Sequence, residues 1–137
     1  DNNTEAQLRL LGHALSEKMT ILEEYHTAFI ALSREELERF DAKAGDTEGF
    51  VNYALSLKGI VFAALIKEDD KMIKMSFRSK GDFPANKFSK DHFNGGGHKN
   101  AAGGRSNLSF QKTIEKFKTE LKNFSSQLIE TRKNTHE

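Results

Sequence analysis

Five of the ten glycines in this 137-residue chain lie between positions 95 and 104, within the segment HFNGGGHKNAAGG. Glycine loses more conformational entropy on folding than any other residue, so a cluster of this kind lowers stability. Successive backbone N–H groups without side chains can converge on an anion, and glycine permits the close approach that this needs. The cluster therefore predicts an anion-binding loop, because a plain turn usually needs only one or two glycines.

Basic side chains surround the glycine cluster. His98 follows the three adjacent glycines and can donate a hydrogen bond to a phosphate oxygen. Arg78 ends an apolar stretch, and its planar guanidinium can form two parallel hydrogen bonds with a phosphate. Lys99 and Arg105 lie close by in the sequence, and these two side chains are as well explained by solvation as by ligand binding. These residue types favour a phosphate-bearing ligand.

Two familiar phosphate-binding motifs and a metal site do not fit this segment. A Walker motif ends in Gly-Lys followed by Ser or Thr, and that triplet does not occur in the chain. A dinucleotide-binding fingerprint that starts at Gly95 would need a glycine in place of Asn100, and a strand before it. His92 and His98 lack a third ligand at a useful spacing for a metal.

The length and composition are typical of one domain of common size, or of one domain with an appendage. Hydrophobic residues make up 36% of the chain and charged residues 30%, and eleven phenylalanines can supply a core. The 21 basic and 20 acidic residues give a net charge of +1, so an anion site has to come from local clustering. The chain has no cysteine, which excludes disulfides and fits a cytoplasmic location. Its longest apolar run is far too short to cross a bilayer, so we expect no membrane span.

The hydrophobic pattern predicts an α/β fold with a mixed β-sheet flanked by helices. We expect an N-terminal helix up to Tyr25 and one continuous C-terminal helix from Phe110 to Leu128, whose apolar residues are spaced three and four apart. Ser33 and Glu36 match a capping box at the start of a further helix. Shorter helices are expected at about 48–57 and after Pro84. Strands are expected at 27–32 and within AAGGRSN, and as a hairpin at 60–66 and 72–80.

Three stretches together resemble a known family. The segment FNGGGHKNAAGG, preceded by FRSKG and by GDTEGFVNYAL, resembles the C-terminal DHH-associated domain of DHH-family phosphoesterases. Within that family the sequence is most similar to the branch of bifunctional oligoribonucleases and phosphoadenosine phosphate phosphatases, the nanoRNases. The resemblance covers about residues 27–124.

The resemblance implies that this chain is a substrate-binding lobe. In the family, a separate DHH domain holds two Mn²⁺ ions that activate water for phosphoester hydrolysis, and the associated domain grips the nucleotide across a cleft. The implied organisation is a connector helix at 1–25, a DHH-associated domain at 26–128 and a frayed tail at 129–137. No Asp-His-His triplet occurs here, so we expect the chain to hold no metal and no catalytic residue, and to be inactive alone. Its start at Asp1 favours a piece of a longer protein.

The family's functional residues carry over to two segments of this sequence. Arg78 and Ser79 match the phosphate-contacting arginine segment. The glycine motif matches the following residues: Asn94, Gly95, Gly96, Gly97, His98 and Asn100. The stretch 46–49 matches another recurrent segment, which either contacts substrate or caps a helix. The expected ligand is short RNA or a small phosphorylated nucleotide such as phosphoadenosine phosphate, and we expect Phe93 to pack beneath the loop.

Several other functions stay open on the sequence alone. Within the family, a cyclic-dinucleotide phosphodiesterase or a RecJ-like exonuclease would use the same kind of lobe. A non-enzymatic nucleic-acid-binding module, such as the related domain of alanyl-tRNA synthetases, would have a broad basic surface, which the net charge of +1 disfavours. A homodimerisation domain is the last alternative, since apolar helices are expected at both ends of the chain. His13 and His26 are expected to be ordinary surface or helix-face residues.

Overall fold

One six-stranded mixed sheet organises residues 2–137, the part of the chain that the computed structural model describes. In chain order the strands are β1 (Met19–Leu22), β2 (Thr27–Leu32), β3 (Phe62–Glu68), β4 (Ile73–Ser79), β5 (Gly96–His98) and β6 (Ala101–Ser106). In the sheet they lie in the order β1-β2-β3-β4-β6-β5. The pairing of β2 with β3 is parallel, and the other four pairings are antiparallel. The expected α/β class is confirmed.

Helices cover both faces of this sheet. They are α1 (Glu5–Glu17), α2 (Arg34–Arg39), α3 (Phe50–Leu55), α4 (Ala85–His92), α5 (Phe110–Asn123) and α6 (Ser125–Asn134). The predicted capping box at the start of α2 is present: the Ser33 hydroxyl accepts from the Glu36 N–H at 3.1 Å, and the Glu36 carboxylate accepts from the Ser33 N–H at 3.0 Å. Both interactions satisfy N–H groups that have no partner within the helix.

The face that α4, α5 and α6 cover, here called the back face, has a core rich in phenylalanine. At its centre the ring of Phe62 lies between 4.7 and 6.1 Å from four other phenylalanine rings. The fully buried phenylalanines of this core are Phe62, Phe77, Phe83, Phe88, Phe93 and Phe117. Burial of this much aromatic surface stabilises the fold strongly. The expectation that Phe93 packs inside the domain is confirmed.

The opposite face of the sheet, here called the front face, is only partly covered. Helices α1 and α3 pack over β2 and β3, where alternate strand residues are apolar. The front core consists of Leu10, Ala14, Ala28, Ile30, Leu32, Phe50, Val51, Ala54, Ile60, Ala63 and Leu65. On β5 and β6 the alternate residues facing this side are glycine, alanine or basic, and they remain largely exposed.

A largely buried ion pair joins α1 to the start of α2 at the edge of the front core. His13 Nε2 lies 2.5 Å from Glu36 Oε2 and Lys18 Nζ lies 3.5 Å from the same oxygen, while the His13 ring stacks on Phe40. Burial raises the pKa of the Glu36 carboxyl. Hydrogen bonds from Ser33 and His13 and the charge of Lys18 lower it by a larger amount, so that the pKa falls from 4.5 to about 2. Of the two positions expected for His13, the surface or a helix face, the structure shows a face of α1, where this pair buries most of the side chain.

The N-terminal helix is shorter than the sequence predicts. It ends at Glu17 rather than near Tyr25, and Met19–Leu22 forms β1 beside β2. The reason is that the edge of β2 offers backbone partners to a segment with two β-branched residues. Leu10 and Ala14 are fully buried in the front core, so α1 is part of the fold. Its role as a connector stays a prediction.

The C-terminal region also differs from the prediction. The expected single helix is broken at Phe124, which separates α5 from α6, and the residues predicted to fray continue as α6 up to Asn134. Thr131 is buried, and the Glu137 carboxylate accepts a hydrogen bond from the Gly59 N–H at 2.7 Å and pairs with Lys80. These tertiary contacts hold the last residues in place, and an apolar stripe with helical spacing does not reveal a break of one residue.

Candidate anion-binding site

The glycine cluster forms an edge of the sheet. Residues Gly96–His98 are strand β5, in which Gly96 lies opposite Gly103 of β6, and His98 opposite Ala101. The predicted loop is therefore wrong in form: β6 has an open side after pairing with β4, and the glycine segment satisfies its backbone groups. Because β5 is an outer strand, one row of its own N–H and C=O groups points away from the sheet.

The three adjacent glycines differ in whether the packing of the chain leaves space for a Cβ atom. A Cβ on Gly95 would lie 1.9 Å from the carbonyl oxygen of Gly103. Gly97 has φ +147°, and a Cβ there would lie 2.7 Å from the carbonyl oxygen of Ala101. At Gly96, by contrast, a Cβ would meet no atom within 4 Å. The packing of the chain thus requires glycine at 95 and 97, but it leaves Gly96 without an internal explanation.

Directly paired residues of neighbouring strands place their side chains on the same face of a sheet. Three such rows of paired residues run across the strands on the uncovered part of the front face. The rows are His98–Ala101–Arg78, Gly96–Gly103–Ser76 and Arg105–Lys74–Lys67. We call this surface the open front face. It consists of Lys67, Lys74, Ser76, Arg78, Gly96, His98, Ala101, Gly103 and Arg105.

The middle of the open front face is bare backbone. Gly96 and Gly103 are paired and exposed, and a Cβ on Gly103 would meet only the carbonyl oxygen of Met75, at an ordinary 3.6 Å. Neither position needs glycine to avoid a clash within the chain. A ligand can therefore approach the main chain closely at this point, which is the use of glycine that the sequence predicted.

Positive charge lies on both sides of this bare floor. Arg78 and His98 lie about 10 Å apart, two strand spacings, with only the small side chain of Ala101 between them. Among residues 2–137, Lys67 and Arg105 have no carboxylate within salt-bridge distance, and the same holds for Arg78. These cations are therefore available to an anionic ligand.

A groove of about 450 Å³ runs along this surface, between the front of β4 and β6 and the segment before α3. Arg78, Lys67, Lys74 and Arg105 line it, and Glu48 supplies the single carboxylate among its lining residues in the described part of the chain. Gly96 and His98 lie beside the groove on the neighbouring strand. The groove is thus open to solvent, largely cationic and floored by glycine.

A larger groove of about 630 Å³ adjoins the first near the β3–β4 hairpin. Its lining combines five carboxylates with four cations: Glu38, Asp41, Glu68, Asp69 and Asp70, and Arg34, Lys43, Lys67 and Lys74. Because like charges repel, this groove suits an anion less well despite its greater volume. We therefore place the candidate site in the smaller, cationic groove.

Three residues of the stretch 46–49, namely Thr47, Glu48 and Gly49, line one wall of the candidate groove. The Asp46 carboxylate accepts from the Lys43 N–H at 2.8 Å, the buried Thr47 hydroxyl accepts from Lys67 Nζ at 3.3 Å, and Gly49 (φ +86°) precedes the first turn of α3. Side chains of this stretch therefore order the loop before α3. A contact with substrate is compatible with its place beside the groove and stays open.

Ser79 and Asn100 have their hydrogen bonds within the chain. The buried Ser79 hydroxyl donates to the carbonyl of Phe83 at 2.7 Å, while the Asn100 amide donates to Ser79 Oγ at 2.9 Å and to the carbonyl of Gly81 at 3.1 Å. These bonds hold the turn between β5 and β6. Asn94 is exposed, with a left-handed φ of 53°, at the turn before β5. The substrate contacts assigned to these three residues stay predictions, and the bonds of the first two favour a structural role.

Residues behind the glycine strands hold them in place, and no local sequence pattern predicted these contacts. The buried Ser89 hydroxyl donates to the carbonyl of Gly103 at 2.5 Å. Lys116 Nζ donates to the carbonyl of His92 at 2.7 Å and lies 4.9 Å from the centre of the Phe93 ring. In the sequence a serine or a lysine on an amphipathic helix is typical of a solvated position, so only the structure identifies these contacts.

Metal ligands are not grouped in the described part of the chain. Among residues 2–137, no group of three or more His, Cys, Asp or Glu side chains is placed to hold a metal ion. His92 Nδ1 lies 3.4 Å from Glu120 and packs against Phe124, whereas His98 is on the front face. The residues present do not fit Mn²⁺, and we derive no metal-dependent step in this chain.

No described helix combines the length and apolar character that crossing a bilayer requires.

Comparisons with known proteins agree with this arrangement. A sequence model of the DHHA1 domain family matches residues 23–127. The crystal structure of an exopolyphosphatase-related protein from Bacteroides fragilis superposes with a TM-score of 0.90 and 41% identity, over 93% of this chain and 37% of that chain. A pGpG-specific phosphodiesterase from Vibrio cholerae has a TM-score of 0.60 and 14% identity, over 91% and 40% respectively, and shares the fold. The chain therefore spans less than half the length of these two proteins. A search of curated proteins finds no match.

Proposed function

Since this chain belongs to the DHHA1 domain family, we propose that it is the substrate-binding lobe of a DHH-family phosphoesterase and that its open front face binds nucleotide phosphates. The substrates that we propose are short RNA oligonucleotides and small phosphorylated nucleotides such as phosphoadenosine phosphate. The observation that carries this proposal is the bare floor of Gly96 and Gly103, bordered by Arg78 and His98.

The geometry supports a specific division of work among these residues. Arg78 Nη1 donates to the carbonyl of Phe77 at 2.8 Å, which holds the guanidinium against the sheet and leaves its other N–H groups for a phosphate. His98 is exposed across Ala101 and donates to the same phosphate from the other side. The absence of a side chain at Gly96 lets the phosphate reach the outer edge of β5, where backbone N–H groups point outwards.

The lobe contributes binding and orientation rather than bond cleavage. Holding a substrate in a reactive geometry accelerates a reaction by several orders of magnitude, so a lobe without catalytic residues is still essential to the enzyme. In the proposed whole protein, Mn²⁺ ions in a separate DHH domain would supply the activated water. The residues of this chain grip the phosphates and exclude other orientations.

Other phosphate chains present the same chemistry to this surface. The Bacteroides fragilis relative is described as exopolyphosphatase-related, and a linear polyphosphate carries the same anionic oxygens as an oligonucleotide backbone. The relative that is a pGpG-specific phosphodiesterase shares only the fold, at 14% identity, so a dinucleotide substrate has weaker support.

A binding measurement on the 137-residue chain tests the proposal. Isothermal titration with adenosine 5′-monophosphate and with phosphoadenosine phosphate would compare the unaltered chain with Arg78→Gln and His98→Gln. We expect each variant to bind at least about tenfold more weakly, because each loses a hydrogen bond to a charged group. Lys112→Gln, on the exposed side of α5 behind the sheet, changes the net charge as Arg78→Gln does and is expected to leave affinity within about twofold. Unchanged affinity in both folded site variants would overturn the proposal.

A further inference from the structure

The glycine floor of the proposed site contributes little to its own rigidity. Gly96 and Gly103 have no side chains, and a Cβ at either position would meet no other atom of the chain closer than 3.6 Å. Glycine also loses more conformational entropy on ordering than any other residue. A ligand binds more tightly to a surface that is fixed beforehand, because ordering that surface on binding costs free energy. The contacts that fix this floor must therefore come from the residues around it.

The register between β5 and β6 changes at the end of the floor. Gly96 lies opposite Gly103. The same register would place Asn94 opposite Arg105. The Arg105 N–H instead donates to the carbonyl of Phe93, at 2.7 Å, so the segment before β5 contains one residue more than the facing part of β6. Asn94, with φ 53°, lies within this extra length. The arrangement is a β-bulge, which bends a strand and sets the direction of the residues that follow it.

Ser89 of α4 contacts both strands at this bulge from behind the sheet. Its hydroxyl donates to the Gly103 carbonyl at 2.5 Å, and its own carbonyl accepts from the N–H groups of Phe93 and Gly95, at 2.8 and 3.3 Å. A serine inside a helix often donates to the carbonyl four residues earlier, whereas this hydroxyl donates to a strand 14 residues later. The side chain is fully buried, and a Cβ on Gly104 would lie 2.9 Å from its oxygen. Ser89 therefore lies directly against the backbone beneath the floor.

The start of α4 holds the other end of β5. The Ala85 N–H belongs to the first turn of the helix, where N–H groups have no partner four residues earlier within the helix. It donates to the carbonyl of Lys99, at 2.7 Å, in the turn that follows β5. Phe88 of the same helix is fully buried, with its ring 4.9 Å from Phe62 and 5.5 Å from Phe77. Helix α4 thus connects both ends of the glycine strand to the back core.

We propose that Ser89 is a positioning residue of the phosphate site: it fixes the bulge and the Gly103 peptide group, and through them the position of Gly96 before a ligand binds. This inference rests on the proposed function and adds a residue that does not touch the ligand. Ser89 lies behind the sheet, so its effect on binding passes through the backbone alone. Loss of its hydroxyl then lowers affinity as well as stability, whereas loss of a hydroxyl that serves only folding lowers stability alone.

The test compares two buried hydroxyls behind β6. Ser89→Ala removes the bond to Gly103. The matched control, Thr113→Val, removes an equally buried hydroxyl that donates to Ser106 Oγ at 2.9 Å, at the far end of β6. Each variant loses a buried hydrogen bond, so each is expected to lower the melting temperature by about 2–8 °C. In isothermal titration with adenosine 5′-monophosphate, Ser89→Ala is expected to bind at least about fivefold more weakly, and Thr113→Val within about twofold of the unaltered chain.

NMR spectra without ligand separate positioning from a loss of stability. In Ser89→Ala the amide signals of Gly96 and Gly103 are expected to shift or broaden, because the peptide group that Ser89 held is free to move. In Thr113→Val the same two signals are expected to keep their positions. If Ser89→Ala weakens nucleotide binding no more than Thr113→Val does, Ser89 serves folding only and the inference is wrong.

A milder variant keeps the test decisive if Ser89→Ala does not fold. Lys116 of α5 donates to the carbonyl of His92, the last residue of α4, at 2.7 Å. Lys116→Met removes this bond with a side chain of similar length and is expected to weaken nucleotide binding about fourfold. Lys112→Gln loses the same charge from the same helix and is expected to bind within about twofold of the unaltered chain. Unchanged affinity in folded Lys116→Met would then contradict the inference.

Arg78→Gln keeps this inference apart from the proposed function. If Arg78→Gln weakens binding of adenosine 5′-monophosphate and Ser89→Ala does not, the front-face site stands and the positioning role fails. If neither variant changes affinity while both remain folded, the proposed function fails and the positioning role fails with it. Weaker binding in both variants, with Thr113→Val unaffected, supports both.

Discussion

The two halves of the front face carry opposite kinds of residue. Over β2 and over β3 as far as Leu65 the front positions are apolar, for example Ile30 and Leu65, and α1 and α3 bury them. Over β4, β6 and β5 the corresponding positions are basic, small or glycine, as at Arg78 and Gly103, and they face the groove or solvent. The two halves belong to one continuous sheet. The difference shows that the choice of alternate strand residues decides which part of a sheet stabilises the fold and which part remains available to a ligand.

Strand β4 has the same contrast within one segment. Met75 and Phe77 point into the phenylalanine-rich back core, while Lys74 and Arg78 point to the front. The back contacts anchor the strand rigidly, so the front side chains start from fixed positions. A stable back face is therefore what allows the open half to carry unpaired charge.

The largest expected effect is on the stability of the closed half, the part of the front face that α1 and α3 cover. Glu36 anchors α1 there through His13. The pKa of Glu36 lies near 2 in the folded protein, below its ordinary 4.5, so the ionised carboxylate stabilises the fold above pH 5, and this stabilisation is lost as the pH falls from 4.5 towards 2. The difference corresponds to about 3 kcal/mol in total, of which about 2 kcal/mol is lost between pH 5.5 and 3. Urea unfolding at these two pH values measures it.

The matched variant for this test is Glu36→Gln, which keeps a residue able to complete the capping box but removes the charge. Other carboxylates titrate in the same range, so the informative quantity is the stability of the unaltered chain minus that of the variant. This difference is expected to shrink by about 2 kcal/mol from pH 5.5 to pH 3. A constant difference would show that the closed half does not depend on the Glu36 charge.

The next largest effect distinguishes Gly95, which the packing of the chain requires, from Gly96, which it does not. Gly95→Ala places a Cβ against the backbone of β6 and is expected to destabilise the chain by roughly 1–3 kcal/mol. Gly96→Ala meets no atom of the chain, so its expected change in stability is within about 0.5 kcal/mol. The same Cβ intrudes on the bare floor and is expected to weaken nucleotide binding about tenfold, or about 1.4 kcal/mol. Thermal unfolding and titration calorimetry on both variants supply the two readouts.

The two glycines serve as controls for each other. If Gly96→Ala binds nucleotide as well as the unaltered chain does, the bare floor is not a contact surface. If Gly95→Ala is as stable as Gly96→Ala, the strand pairing at the edge of the sheet is looser than its contacts indicate.

Local sequence signals predicted much of the fold correctly. The β-branched, apolar segment at 27–32 gave β2 with its observed bounds, and the Ser33–Glu36 capping box forms as expected. The predicted strand at 72–80 is also present as β4, and its alternating burial follows the two-residue period of a strand. By contrast β1, the break at Phe124 and the ordered end of α6 depend on partners distant in the sequence, which no local pattern contains.

For the candidate site, the sequence predicted residue types better than shape. It identified the glycine cluster, Arg78 and His98, but it predicted a loop where the structure has an edge strand. Ser79 and Asn100 were assigned by similarity, whereas their hydrogen bonds lie within the fold. The row Lys67–Lys74–Arg105 could not be predicted, because its members come together only through the register of three strands.

Nucleotide binding can be mapped on the whole chain by NMR, which shows whether the open front face binds phosphate. Titration of the ¹⁵N-labelled chain with adenosine 5′-monophosphate is expected to shift the amide signals of Gly96, His98, Gly103 and Arg78 most, and to leave those of α5, behind the sheet, unchanged. Shifts that concentrate on α5 or on the acidic groove at the β3–β4 hairpin, with the amides of Gly96 and Gly103 unmoved, would contradict the claim that the open front face binds phosphate.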